Sequence, residues 1–257
     1  MPNYLNGFNK QGLIKWGGES SENFGMVVSA APAFDKPIRK QTVYSVPGRN
    51  GSIIFQQDAF EDVERAYEVW IAEQTEEDSG GTPVSGTLPE CIADFTAWLN
   101  SKPGYQELED SFELDFFRLA YYSGGNNFTN QMMAVGHSTI TFMCRPERFL
   151  KSAKTAVTVT NGTILNNPTK FTSKPLIHIE VSSPATIGIT LGGNTINASV
   201  TDYINIDCDT MNAYRLATEN KNSSISGSFP KMPPGANTVA ITGSPSSVTI
   251  VPRYFTI

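Results

Sequence analysis

The sequence predicts a mainly β protein of two domains with one main helix. Three observations lead there. Apolar and polar residues alternate with a period of two at many places, the pattern of a half-buried strand. Helical periodicity with a matched start and stop occurs over 89–100. The composition changes after Leu150, from a mixed and acidic sequence to one rich in Thr, Ser, Asn, Gly, Val and Ile. A length of 257 residues fits one large domain or two ordinary ones, and 39% hydrophobic with 17% charged residues supplies a core and argues against disorder. The expected division is 1–150, a linker over 151–165, and 166–257.

In chain order, Gly48-Arg49-Asn50-Gly51 comes first. It lacks the G-x-x-x-x-G-K-[ST] pattern and a following helix, so it is not read as a phosphate loop. Asn50-Gly51 between apolar segments reads as a hairpin turn. Tyr67, Val69 and Ile71 alternate with Glu68, Trp70 and Ala72, a strand with one buried face. Thr87 can cap a helix whose first turn holds Pro89 and Glu90. Ile92, Phe95, Trp98 and Leu99 then make one apolar stripe, and Pro103-Gly104 forbids continuation, so the helix is expected over Pro89–Asn100. Ile140, Phe142 and Cys144 share one face of a strand whose end is expected at Pro146, which cannot donate to a ladder.

Further strands are expected at 176–181, 186–191, 203–206 and 247–251. Gly192-Gly193-Asn194, Pro233-Pro234-Gly235 and Gly243-Ser244-Pro245 separate them as turns. Short strands at this spacing suggest a β-sandwich. Within the switch region, 163–173 reads as the connection between the domains.

Charge and chemistry narrow the function. Between Asp58 and Asp115 there are 16 acidic and two basic residues, a balance of −14, while the remainder is net +8. Such a stretch repels phosphate and argues against nucleic-acid binding there. On composition alone it reads as a solvated face. No apolar run is long enough to span a bilayer. Residues 1–6 lack the basic-then-apolar order of a secretory signal, so folding in a cytosol is expected. Cys91, Cys144 and Cys208 are far apart and odd in number, and His137 and His178 are the two histidines, which does not make a zinc cluster. Asp202, Asp207 and Asp209 lack the ligand order of a calcium loop. No G-x-S-x-G elbow accompanies the histidines. No metal, cofactor or catalytic residue is expected.

Several segments together resemble the distal tail protein (Dit) family of long-tailed phages. They begin with Ile14-Lys15-Trp16-Gly17-Gly18, 20–28 (SSENFGMVV) and Val46-Pro47-Gly48-Arg49-Asn50-Gly51-Ser52-Ile53-Ile54, where that family more often has Asp in place of Asn50. The likeness continues through 104–111 (GYQELEDS), 117–122 (FRLAYY) and 141–149 (TFMCRPERF). The second half adds 166–169 (NNPT), 173–177 (SKPLI), 227–237 (GSFPKMPPGAN) and 250–253 (IVPR). The segments run in family order over nearly the whole chain.

The resemblance implies a β-rich N-terminal domain that forms a hexameric ring and a galectin-like C-terminal β-sandwich on the ring's periphery. The homo-hexamer would join the tail tube protein to the tail-associated tip protein and carry receptor-binding proteins. It would sit at the virion tail tip, made in the bacterial host cytoplasm, with no enzyme activity and no membrane insertion. No long insertion interrupts either half, so the chain resembles the family's short form. Among the motif residues, Gly48 and Gly51 suit a turn, Arg49 pairs with a carboxylate within the subunit or across the ring, Phe149 seals the base of the first domain, and Arg253 anchors the last strand, while Pro146 belongs to the same structural motif set. DNA would pass through the ring without specific binding, and Glu73, Glu76, Glu77 and Asp78 are the first candidates for its wall. The competing function is a host-surface adhesin that binds glycans through the second domain, with Tyr203 and Tyr214 as its aromatic contacts. A hydrolase is a third possibility without a supporting cluster.

Overall fold

The computed structural model describes residues 12–33, 36–73, 86–125, 127–130, 135–216 and 218–257. They fall into two units, one running to Arg148 and the other from Phe149 to Thr256. The protein is mainly β, with one α-helix among the described residues.

The first unit contains β1 (Ile14–Trp16), β2 (Glu19–Ser20), β3 (Met26–Val28), β4 (Arg39–Ser45), β5 (Ser52–Phe60), β6 (Val63–Ala72), α1 (Leu88–Asn100), β7 (Gln106–Asp110), β8 (Phe116–Tyr122), β9 (Thr129–Asn130) and β10 (Val135–Leu150). Its main sheet runs β2-β1-β7-β8-β10-β6-β3, with β9 also paired to β10. In β6 every second residue is buried, from Val63 through Arg65, Tyr67, Val69 and Ile71. β10 lies antiparallel to it, with Ile140 opposite Tyr67 and Phe142 opposite Arg65. Tyr67, Val69, Ile71, Ile140 and Phe142 share one core with Cys91, Phe95, Trp98 and Leu99 of α1.

Helix α1 starts where its first turn is satisfied. The Glu90 carboxylate accepts from the Thr87 backbone N–H at 2.8 Å and from the Thr87 hydroxyl at 2.9 Å. These hydrogen bonds hold the Glu90 carboxyl below the usual carboxylate range. Another acid, Glu73, accepts from the Leu88 N–H at 3.2 Å. Both lie at the end of the helix that favours negative charge. Ser101 closes the other end, its N–H donating to the Trp98 carbonyl, before Pro103.

Two sequence expectations change here. Pro146 does not end its strand, because β10 continues to Leu150. The ladder with β6 stops at the Cys144–Val63 pair, so the missing N–H of Pro146 falls beyond the bonds that β6 would have needed. The hairpin turn is centred on Pro47-Gly48 rather than on Asn50-Gly51. The Arg49 N–H donates to the Val46 carbonyl at 3.2 Å, and Gly48 has φ +78°, the pattern of a type II turn with proline and then glycine at its centre. Gly51, with φ +81°, then returns the chain to β5, which makes a six-residue loop over 46–51.

The second unit contains β11 (Val157–Thr158), β12 (Ile164–Asn167), β13 (Leu176–Glu180), β14 (Ala185–Leu191), β15 (Asn194–Val200), β16 (Tyr203–Asp207), β17 (Asn212–Arg215), β18 (Glu219–Asn220), β19 (Ile225–Gly227), β20 (Gly235–Thr238), β21 (Ala240–Thr242) and β22 (Ser247–Val251). One sheet runs β11-β22-β13-β16-β17-β18 and another β19-β15-β14-β21, while β12 pairs with β20. Ile177, Ile179, Ile204, Ile206, Val248 and Ile250 from the first sheet share a core with Ile187, Ile189, Leu191 and Ile196 from the second. Two sheets enclosing one apolar layer make a sandwich.

The expected linker over 151–165 belongs to this unit. Ala153, Val159 and Leu165 are in its core, β11 pairs with β22, and β12 starts at Ile164. Strand β12 also occupies part of 163–173, the segment read as a connection. Phe149 is the first residue of this unit. Its ring lies 6.0 Å from Phe255, which stacks on Phe171 at 5.6 Å.

Candidate assembly surface

Strands β4 and β5 form a two-stranded sheet of their own. Val43 faces Ile54 across the pair, and Tyr44 faces Ile53. Because neighbouring residues on a strand point to opposite faces, consecutive apolar residues make both faces apolar. Val43 is 52% exposed, Tyr44 55%, Ile54 55% and Phe55 59%. Tyr44 and Phe55 meet edge to face at 5.7 Å, and with Thr42 and Ile53 they line a shallow hollow. None of these residues enters the core of the first unit. A hairpin standing alone is marginally stable in water, and an exposed apolar ribbon of this kind marks an interaction surface.

The acidic segment divides in two. Asp110 and Glu113 are buried in an ion network rather than solvated. Asp110 Oδ2 accepts from Arg65 Nη2 at 2.7 Å and from the Tyr67 hydroxyl at 2.9 Å, and its Oδ1 accepts from the backbone N–H groups of Phe112 and Glu113. Glu113 pairs with Arg118 at 2.9 Å and Arg148 at 3.2 Å. Burial opposes the charge on Arg65, but Tyr67, Asp110 and Glu113 outweigh it and hold its pKa above the ordinary arginine value. The remaining acids include Glu64 and Glu68, which point outward from β6.

The other sequence-derived candidates are dispersed. Arg49 is exposed at the hairpin tip and forms no ion pair with a described residue. Glu73 is exposed but tied to the start of α1, while Glu76, Glu77 and Asp78 lie outside the described residues. Arg253 makes two hydrogen bonds to Asp207, at 2.7 and 3.2 Å. Burial works against the Asp207 charge, yet Arg253 and the N–H groups of Asp209 and Thr210 hold its carboxyl below the usual range. Asp202 pairs with Arg215 at 2.6 Å and Asp209 with Lys174 at 3.1 Å, so each of the three aspartates has its own cation.

The glycan-contact candidate Tyr203 is half-buried, with the Arg215 guanidinium over its ring and His178 at 5.6 Å. His178 in turn contacts Asn205 at 2.8 Å and Glu180 at 3.1 Å. Cys91, Cys144 and Cys208 are buried free thiols, and burial pushes Cys144 and Cys208 up to about 12.

The Arg65 network is not among the residues that motif and charge patterns single out. A signal for it exists, since Arg65 stands at an inward position of β6, in phase with Val63, Tyr67, Val69 and Ile71. A charge at such a position requires a buried partner.

No family model matches the sequence, and no curated protein matches it. Among solved structures, the fold is similar to the crystal structure of the SPP1 Dit (gp 19.1) protein, described as a paradigm of hub adsorption apparatus in Gram-positive infecting phages. The TM-score is 0.66 at 14% sequence identity, and the match covers 93% of this chain and 96% of that one.

Proposed function

We propose that this chain is a structural hub of the tail tip of a long-tailed phage. Six copies close into a ring through the first unit. The ring joins the tail tube protein to the tail-associated tip protein and mounts receptor-binding proteins, and the second unit is a galectin-like module of that hub. The role is mechanical and involves no catalytic step. The observation that carries this proposal is the extent of the likeness to the SPP1 protein, which runs through nearly the whole of both chains and so takes in both units.

The apolar hairpin supports self-association, because a surface of this kind needs a cover. In such a ring DNA passes without being held. Anionic walls suit that passage, since cationic walls would bind phosphate with release of counterions. Glu73, Glu76, Glu77 and Asp78 are proposed for that wall.

Immunogold labelling of phage particles with antibodies to this chain tests the role. Gold at the end of the tail distal to the capsid is the expected result. Gold on the capsid, or particles that do not contain the chain, would overturn it.

A further inference from the structure

We infer that the β4–β5 hairpin of one copy docks on the outward face of β6 in the next copy, which rests on the ring reading above. Two surfaces of the first unit are complementary. From Lys36 to Gln57 the chain has four cations and no acid. Arg39 is taken by Asp58 at 3.3 Å, whereas Lys40 and Arg49 have no ion-pair partner among the described residues. Tyr44, Ile53 and Phe55 provide the apolar part.

The outward face of β6 has the reverse charge around a similar apolar centre. Strand pairing sets Val27, Trp70 and His137 in one row across β3, β6 and β10. Trp70 lies 4.7 Å from the His137 ring, and both Val27 and Trp70 are exposed. Along the same face of β6 follow Glu68 and Glu64, which form no ion pair with a described residue.

Neither surface is covered by the described residues of its own chain, and each has what the other lacks: cations for carboxylates, and aromatic rings for an exposed tryptophan. Two different, complementary patches on one molecule make a head-to-tail contact, and head-to-tail contacts that close produce rings. Docking would also give the lone hairpin the further layer it lacks. Opposite potentials would fix the register of successive copies and exclude a two-fold pairing of hairpin with hairpin, which would bring like charges together.

Charge reversal in the full-length protein tests the contact. Lys40→Glu with Arg49→Glu in one variant, and Glu64→Lys with Glu68→Lys in another, should each weaken assembly by about tenfold or more, and the two combined should restore it. All four positions are exposed, so the melting temperature of each variant reports on its fold. A second measurement is independent of charge. One preparation carries Tyr44→Cys and another Trp70→Cys. Mixed and mildly oxidised, they should form a disulfide joining the two chains, because the native cysteines are buried. Rings that persist in both reversed variants, or that form without any cross-link, would overturn the docking site while leaving the ring intact. A wild-type chain that stays monomeric at every concentration would overturn both.

Discussion

Arg253 holds a left-handed backbone conformation, φ +53°, which costs a residue with a side chain about 1–2 kcal/mol. The cost is met locally: its N–H donates to the Ala153 carbonyl at 3.1 Å, and its guanidinium grips Asp207. Arg253→Met should destabilise the second unit by about 1.5–3 kcal/mol in urea unfolding, the range for hydrogen bonds to charged groups. The same variant should raise the Asp207 pKa, measurable by carboxyl NMR. Since the folded-state pKa is depressed, the stability it contributes is present at neutral pH and is lost as pH falls through the normal aspartate value of about 4 and then through the depressed one. The variant should therefore flatten the acid limb of the stability profile.

In the first unit, Arg65→Met leaves Asp110 buried without its cation and should cost about 3–5 kcal/mol. Arg65→Met with Asp110→Asn should cost less than Arg65→Met alone. At this scale the sequence was partly legible. The parity of Arg65 was visible, but its partners Asp110 and Glu113 are more than forty residues away, and the spacing of a strand does not name them.

Elements were legible where a local period decides burial. Strand β6 and helix α1 are examples: alternation sets the buried face of the first, and the Thr87–Glu90 pair with the apolar stripe sets the second. Phe95, fully buried between Phe24, Trp98 and Phe128, should lose about 3–5 kcal/mol on substitution by alanine in urea unfolding of the first unit. Local period is not enough where a partner strand decides. Pro146 reads as a strand end because the sequence does not show that β6 has already stopped there. The 151–165 segment reads as a linker because β11 is two residues long and its partner β22 is about ninety residues away.

The hairpin makes the opposite prediction from Phe95. Tyr44→Ser with Phe55→Ser should leave the unfolding energy of the monomer within about 0.5 kcal/mol, because both side chains face solvent in one chain. It should nevertheless abolish self-association in sedimentation. A large loss of monomer stability would show that the hairpin belongs to the core.

At the scale of the whole molecule, the order of the segments points to a two-domain β fold, and the SPP1 Dit structure, 14% identical, shares this chain's fold over nearly its full length. Fold survives such divergence because it needs apolar positions and turns rather than particular residues. Assembly contacts depend on particular side chains, so they are less legible, and the hairpin reveals itself through exposure in the structure rather than through pattern. The proposed hub role requires this chain to build a six-membered ring. Mass measurement of the purified full-length protein in solution, with negative-stain imaging of the same sample, tests it most directly. The expected species has six 28.0 kDa chains and is seen end-on as a ring with a central opening. A monomer at all concentrations, or a closed two-fold dimer, would contradict it.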